Sequence, residues 1–360
     1  MKVLLVLGTS TGGVGRHVHD LVEGLVAAGD EVVVAAPVPV SEQFGYADAG
    51  AHVVPLEFGD RPHPVRDLAA LRRLREIGAA ADVVHAHGVR AGALAALALR
   101  GVAPLVVTLH NAAPESRAAA VIHGSLEAIV ARGAALVLGV SSDLVEGQRR
   151  RRARRAELAV VPAAVPPGVI GDRFGVRQTL DVAPTTALLV TIARLAPQKD
   201  LDLLLDAMAR LQKKSVVPAL AVIAGEGPLR DHLEQRIRSE ALPVRLLGHR
   251  RDVPDLLAAA DIVVSTARWE GQPVALQEAL HLGAAIVATD AGGTKDVVGD
   301  AAILVPVGDA ESLTCALADV LTHGGVRDDL RSKAMHRAGE LPTKEAAIAA
   351  ARTAYASVVD

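Results

Sequence analysis

One pattern recurs along the chain: a short, almost continuous apolar run, a turn, and a longer amphipathic stretch. KVLLVLG at 2–8 precedes a periodic segment at 15–28, EVVVAAP follows at 31–37, and further runs stand at AHVVPL, DVVHAH, PLVVTLH, LVLGVS and LAVVPA. A strand with one solvated face alternates polar and apolar residues. A strand apolar at nearly every position is covered on both faces, as in a parallel sheet between layers of helices. The first half therefore reads as α/β and doubly wound.

After VPAAVPPGVIGD the pattern restarts with ALLVTIA (187–193), ALAVIAG (219–225), VRLLG (244–248), DIVVST (261–266) and AIVAT (285–289), separated by helical stretches such as 200–212. With 360 residues the chain exceeds what one core usually organises. The expected organisation is a Rossmann-like domain at 1–168, a second at 169–341, and a terminal helix within 342–360, after Pro342, that crosses back toward the first domain. The two domains are expected to face a central cleft.

Charge is nearly balanced, 38 Lys plus Arg against 41 Asp plus Glu, and aromatics make up 2%. This excludes a disordered chain and a surface built throughout for nucleic acid, so no nucleic-acid partner is expected. Cys315, the single cysteine, is expected to be a buried structural thiol. The amino-terminal MKVLLVLGTSTGG reads as a first strand, not a secretory signal, and no run approaches the ~20 apolar residues of a membrane span. The expectation is a cytoplasmic protein, with peripheral contact at the inner face of an anionic membrane left open. Two basic segments bear on that contact. Arg149–Arg152, Arg154 and Arg155 read first as a solvated surface, with anionic lipid, a phosphorylated acceptor or nucleic acid as alternatives. In 60–78, Val65, Leu68, Leu71 and Leu74 are expected to face the core, with Arg66, Arg72, Arg73 and Arg75 toward solvent.

Ligands of open parallel sheets bind beyond the carboxyl ends of the strands, so strand ends are where chemistry is sought. Gly12 and Gly13, in GTSTGGVGRHV, suit either a phosphate contact at a helix start or a tight turn; their spacing is neither the dinucleotide fingerprint nor a Walker loop. His110 ends PLVVTLH and suits hydrogen bonding, acid–base work or a structural role. His85 and His87 share one side of a strand without a third ligand at convincing spacing, so no metal site is expected. Arg194 and Lys199 bracket a strand-to-helix turn in RLAPQKD, where two cations suit a leaving diphosphate, ordinary solvated cations being the alternative. Asp200 and Asp202 read as acids at a helix start. Gly225 and Gly227, in GEGPL, suit close approach of a nucleotide or a structural turn.

The strongest signal is WEGQPVALQEALHLGAAIVATDAGG. Glu270 stands in a loop, where its carboxylate suits sugar hydroxyls, and Glu278, eight residues on, stands in a helix over 275–282, where it suits a ribose diol. Gly292 lies in the AGG turn that follows.

In order along the chain, GGVGRHVHDLVEGLVAAG, TLHN, RLAPQKD, GEGPL, EGQPVALQEALHLG and ATDAGG resemble glycosyltransferase family 4, the retaining nucleotide-sugar transferases of GT-B fold. The resemblance implies a hexosyl transfer from an NDP-sugar to an acceptor hydroxyl. It implies donor phosphate at Gly12 and Gly13, the transferring sugar beside His110 and Glu270, diphosphate on Arg194 and Lys199, and ribose on Glu278. It further implies metal-independent stabilisation and no cofactor beyond the nucleotide-sugar substrate. Among donors a UDP-hexose is slightly favoured over UDP-GlcNAc and GDP-mannose, and the acceptor is a lipid, a glycan or a small molecule. Two departures from the family stand out: PAAVPPG at 162–168 replaces an NGVD-like stretch, and Asp200 stands where glycine is common. The rival readings are a sugar-nucleotide epimerase or phosphorylase on the same fold, and a catalytically silent sugar-nucleotide binding protein.

Overall fold

The computed structural model describes residues 1–9, 12–59, 63–111, 117–164, 172–214 and 217–359. The chain divides into two compact units, Met1–Pro162 together with Pro342–Asp360, and Ala163–Leu341. The boundary expected at 168/169 lies outside the described residues.

The first unit is built on strands β1 (Lys2–Leu7), β2 (Glu31–Ala36), β3 (His52–Pro55), β4 (Val83–His87), β5 (Leu105–Leu109), β6 (Leu136–Gly139) and β7 (Ala156–Leu158), in the order β3-β2-β1-β4-β5-β6-β7. Every recorded pairing is parallel, with Lys2 to Val6 opposite Glu31 to Ala35. The second unit carries β8 (Ala187–Ile192), β9 (Ala219–Ala224), β10 (Val244–Gly248), β11 (Ile262–Ser265), β12 (Ile286–Thr289) and β13 (Ala302–Val305), in the order β10-β9-β8-β11-β12-β13, again parallel. In both sheets the strand order reverses beside the first strand, which opens a crevice between the loops that leave in opposite directions.

The apolar strands feed two cores at once. Leu189, Ala221 and Ile223 join one cluster of the second unit, while Leu188, Val190, Leu220 and Val222 join another on the opposite face. Period-two alternation thus divides side chains that are all apolar, and helices cover both faces.

The terminal helix Lys344–Val359 belongs to the first unit. Ile348 packs where Gly24 has no side chain, Lys344 pairs with Asp20 at 2.9 Å, and Tyr355 is fully buried.

Several expectations are corrected. The last strand of the first unit is Ala156–Leu158, not the more apolar LAVVPA; only its first residue is buried, and it pairs along three positions of β6 before Pro162. In the helix Pro64–Gly78, Ala70, Leu74 and Gly78 face the core, whereas Val65 and Leu68 are 74% and 49% exposed. Of the expected stripe Leu74 is fully buried and Leu71 partly so, while the first turns of the helix, with Val65 and Leu68, stand out from the core. Cys315 is exposed, because Leu313, Thr314, Ala316 and Leu317 supply the buried side of its helix. The expectation for Asp200 and Asp202 holds: Asp200 directly precedes the helix Leu201–Lys214, in a left-handed conformation at φ 44°, and Asp202 stands in its first turn.

Candidate active site

A cavity of ≈ 510 Å³ opens in the second unit at the carboxyl ends of β8 and β11, where the strand order reverses. Arg194, Lys199, Gly225, Glu270 and Glu278 all line it. Residues separated by more than eighty positions are thus brought to one sheet edge by the topology.

Two loop contacts shape the cavity. The segment after β8 is zippered to the segment after β9: Ala193 N donates to Ala224 O, Leu195 N to Glu226 O and Leu229 N to Leu195 O, each at 3.0 Å. A Cβ on Gly225, whose φ is +148°, would lie 1.9 Å from Ala193 O, and one on Gly227 would lie 2.3 Å from Leu195 O. Both glycines are therefore required by the approach of one loop backbone to another. The second contact joins the Lys199 loop to the Glu270 loop. Arg268 N donates to Gln198 O at 2.8 Å, Gln198 Nε2 to Trp269 O at 2.8 Å, and Thr266 Oγ1 to Lys199 O at 2.9 Å. Gly292, at φ +56°, lets the next turn close on this loop, and Gly293 N donates to Glu270 O at 2.7 Å.

Lys199 Nζ and Glu270 Oε1 form an ion pair whose side chains are 24% and 13% exposed. Asp200 and Arg268 form a second at 3.2 Å. Glu278 is half-buried in the helix Val274–His281, about one turn from its start. Asp202 is bound instead to His232 at 2.9 Å and Arg236 at 2.7 Å, away from the cavity lining.

Gly12, Gly13 and His110 belong to the first unit. Gly12 precedes the helix Gly13–Ala27, and the positions a Cβ would take on both glycines are open. His110 follows β5 and joins a group that its local sequence does not reveal. Its Nε2 lies 3.3 Å from His87 Nδ1, the His85 and His87 rings are 4.1 Å apart, and His17 lies edge-on to His87 at 5.7 Å. His85 is held by Tyr355 Oη and Thr108 Oγ1, both at 2.7 Å. Burial holds His17 down to about 4 and His85 to about 3, and it pushes His87 and His110 well below the ordinary imidazole range. These imidazoles are neutral at pH 7. The visible signal for the cluster was the HAH alternation on β4; the contribution of His17 comes from a helix seventy residues earlier and has no local mark.

Among the described residues no group of three or more His, Cys, Asp or Glu is arranged to hold a metal ion. Among them, too, no helix is long and apolar enough to cross a membrane. Much of the arginine run is engaged internally: Arg149 donates to Ala156 O, Arg151 pairs with Glu127 at 2.7 Å, Arg150 with Glu146 at 3.5 Å and Arg155 with Glu157 at 2.8 Å.

Family models match both units. The model for glycosyl transferases group 1 covers residues 173–337, and that for a glycosyl transferase 4-like domain covers 12–164. A phosphatidyl-myo-inositol mannosyltransferase of Mycolicibacterium smegmatis is 31% identical over 346 residues, covering 91% of this chain and 85% of that protein. A UDP-Gal:alpha-D-GlcNAc-diphosphoundecaprenol alpha-1,3-galactosyltransferase of Escherichia coli is 27% identical and covers 66% of each chain. Among solved structures, Anabaena HepE in complex with UDP superposes with a TM-score of 0.80 at 20% identity, covering 99% of this chain and 100% of that one. A glycosyltransferase from Rickettsia africae gives 0.80 at 16% identity, covering 100% and 98%. With two units of this topology and matches along nearly its whole length, the chain belongs to the GT-B-fold glycosyltransferases related to the family 4 nucleotide-sugar transferases.

Proposed function

We propose that the protein is a retaining hexosyltransferase that takes its sugar from a nucleoside diphosphate. The observation that carries this reading is the convergence of Arg194, Lys199, Glu270 and Glu278 on one cavity at the switch point of the second sheet. Glu278 holds the ribose diol through its carboxylate, and Arg194 with Lys199 receives the diphosphate. Glu270 accepts hydrogen bonds from the sugar hydroxyls. For His110, Gly12 and Gly13 the assignment rests on the family resemblance, which sets them toward the sugar and the donor phosphate.

In the reaction the bond from the anomeric carbon to the diphosphate oxygen breaks, and its electron pair leaves with the phosphate. The acceptor oxygen bonds the anomeric carbon from the same face, and its proton passes to the departing phosphate oxygen. Charge grows on the diphosphate as the bond lengthens, so cations placed there act more strongly on the transition state than on the bound donor. A neutral His110 positions the sugar and leaves the acceptor proton to the phosphate.

A UDP-hexose is the first donor to test. GDP-mannose is the second, favoured by the mannosyltransferase named among the relatives. The acceptor is a hydroxyl of a lipid, a glycan or a small molecule. A lipid acceptor, met by peripheral contact with anionic membrane, is supported by the exposed Val65 and Leu68 beside exposed Arg66, Arg72 and Arg73. The deciding experiment measures binding and turnover of UDP-glucose, UDP-GlcNAc and GDP-mannose, first alone and then with acceptors, including phosphatidylinositol vesicles. Anomeric configuration of the product is read by NMR. Inversion, or epimerised free nucleotide sugar formed without an acceptor, defeats the reading. Binding of a donor without transfer to any acceptor supports the silent binding protein.

A further inference from the structure

The ion pair of Lys199 and Glu270 joins the residue assigned to the diphosphate with the residue assigned to the sugar. Each satisfies the other, so neither is ready for its ligand until the pair separates. The loops that carry them are fastened independently of the pair. Main-chain groups of Gln198, Lys199, Trp269 and Glu270 are all engaged in the cross-links between loops and turn. Asp200, the acid next to Lys199, is itself paired with Arg268. The side chains can therefore exchange partners while the backbone stays in place.

The charges indicate which exchange occurs. A carboxylate in contact with the ammonium cancels most of the field that would attract a phosphate, and its own charge repels one. A diphosphate carries more charge than a carboxylate and offers several oxygens, so it takes the ammonium, and the carboxylate must turn to other donors. Sugar hydroxyls are such donors, and they arrive only when the diphosphate still bears its sugar. We propose that Glu270 is a resident counter-ion of Lys199, displaced by the incoming diphosphate and recovered by the sugar, so that the site holds a nucleotide sugar against its spent nucleoside diphosphate. After transfer the hydroxyls leave with the product. Glu270 then competes for Lys199 again and weakens its hold on the diphosphate, which dissociates faster than it would without the carboxylate. This exchange rests on the donor-site reading above.

The test is calorimetric titration of UDP, GDP, ADP and dTDP, and of the nucleotide sugar matching the base that binds, into wild type and variants. Trp269, the single tryptophan, adjoins Glu270 and gives a parallel emission readout and a check of folding. Glu270→Gln is expected to bind the free diphosphate about fivefold more tightly or better, while the nucleotide sugar gains less or loses. Lys199→Ala is expected to weaken both, and in the double variant the gain from Glu270→Gln is expected to vanish. A folded Glu270→Gln protein that binds the diphosphate no more tightly than wild type overturns the exchange, as does a gain that survives without Lys199. Should that variant not fold, Glu270→Ala answers the same question. If wild type binds none of the four diphosphates, the donor-site reading fails and the exchange falls with it.

Discussion

Nδ1 of His87 lies 3.3 Å from Nε2 of His110, and either placement of the shared proton leaves the buried Nε2 of His87 without a hydrogen-bond partner among the described residues. His87 thus spends one polar nitrogen on orienting His110, inside a cluster where a further charge is strongly opposed by burial and by the neighbouring rings.

That cluster makes the protein acid-sensitive. His17 titrates near 6.5 when unfolded and about 4 when folded, and His85 near 6.5 and about 3. Between those values the unfolded chain binds more protons, so stability rises with pH through the window and is lost as pH falls from about 6.5 toward 4. His17 alone accounts for on the order of 3 kcal/mol. Thermal melts at pH 7, 5 and 4 should show a falling midpoint, with a shallower fall in His17→Gln. A flat profile down to pH 4 contradicts neutral burial of these rings.

Arg194→Ala and Lys199→Ala should each lower turnover at saturating donor by ~2 to 4 kcal/mol of transition-state stabilisation, while leaving the thermal midpoint nearly unchanged. Single-turnover rates check this. Wild-type rates in both folded, donor-saturated variants would remove these cations from the chemistry.

Glu278→Gln should weaken nucleotide binding by ~1.5 to 3 kcal/mol, because a charged acceptor facing the ribose becomes a neutral amide. Acceptor KM should move little. Unchanged calorimetric affinity for the nucleotide contradicts the ribose assignment.

Gly225→Ala places a methyl 1.9 Å from the Ala193 carbonyl at a backbone angle, φ +148°, that side chains rarely adopt. The loop carrying Arg194 must then detach from the loop after β9. Urea unfolding should show a loss of ~1 to 3 kcal/mol, and nucleotide affinity should fall with it. A stable variant with intact nucleotide affinity would show that the loop contact is dispensable.

The parallel sheets were legible because a strand buried on both faces has almost no choice of residue type, as KVLLVL, EVVVAA and ALLVTI show. Glu270 and Glu278 were legible through their spacing, which a loop and the helix after it preserve locally. What escaped depends on tertiary packing. Val65 and Leu68 belong to a helical stripe of which Leu74 reaches the core, with Ala70 and Gly78 beside it, while the first two stay exposed. Asp200 looks like an acid at a helix start, and its ion pair with Arg268 comes from a loop sixty-eight residues away. The glycines of GEGPL are needed for contact with a backbone from another loop, which a phosphate-binding turn would mimic in sequence.

Because residues 342–360 complete the first unit while 163–341 form the second, the second unit is a continuous segment inserted in the first. During synthesis the inserted unit emerges entire while its host still lacks the helix that covers Gly24 and bonds His85 through Tyr355. The buried histidines therefore acquire their full surroundings only once the helix Lys344–Val359 has been made. Loss of that helix strips Ile348 from Gly24 and Tyr355 from His85, contacts to the part of the chain that is made first.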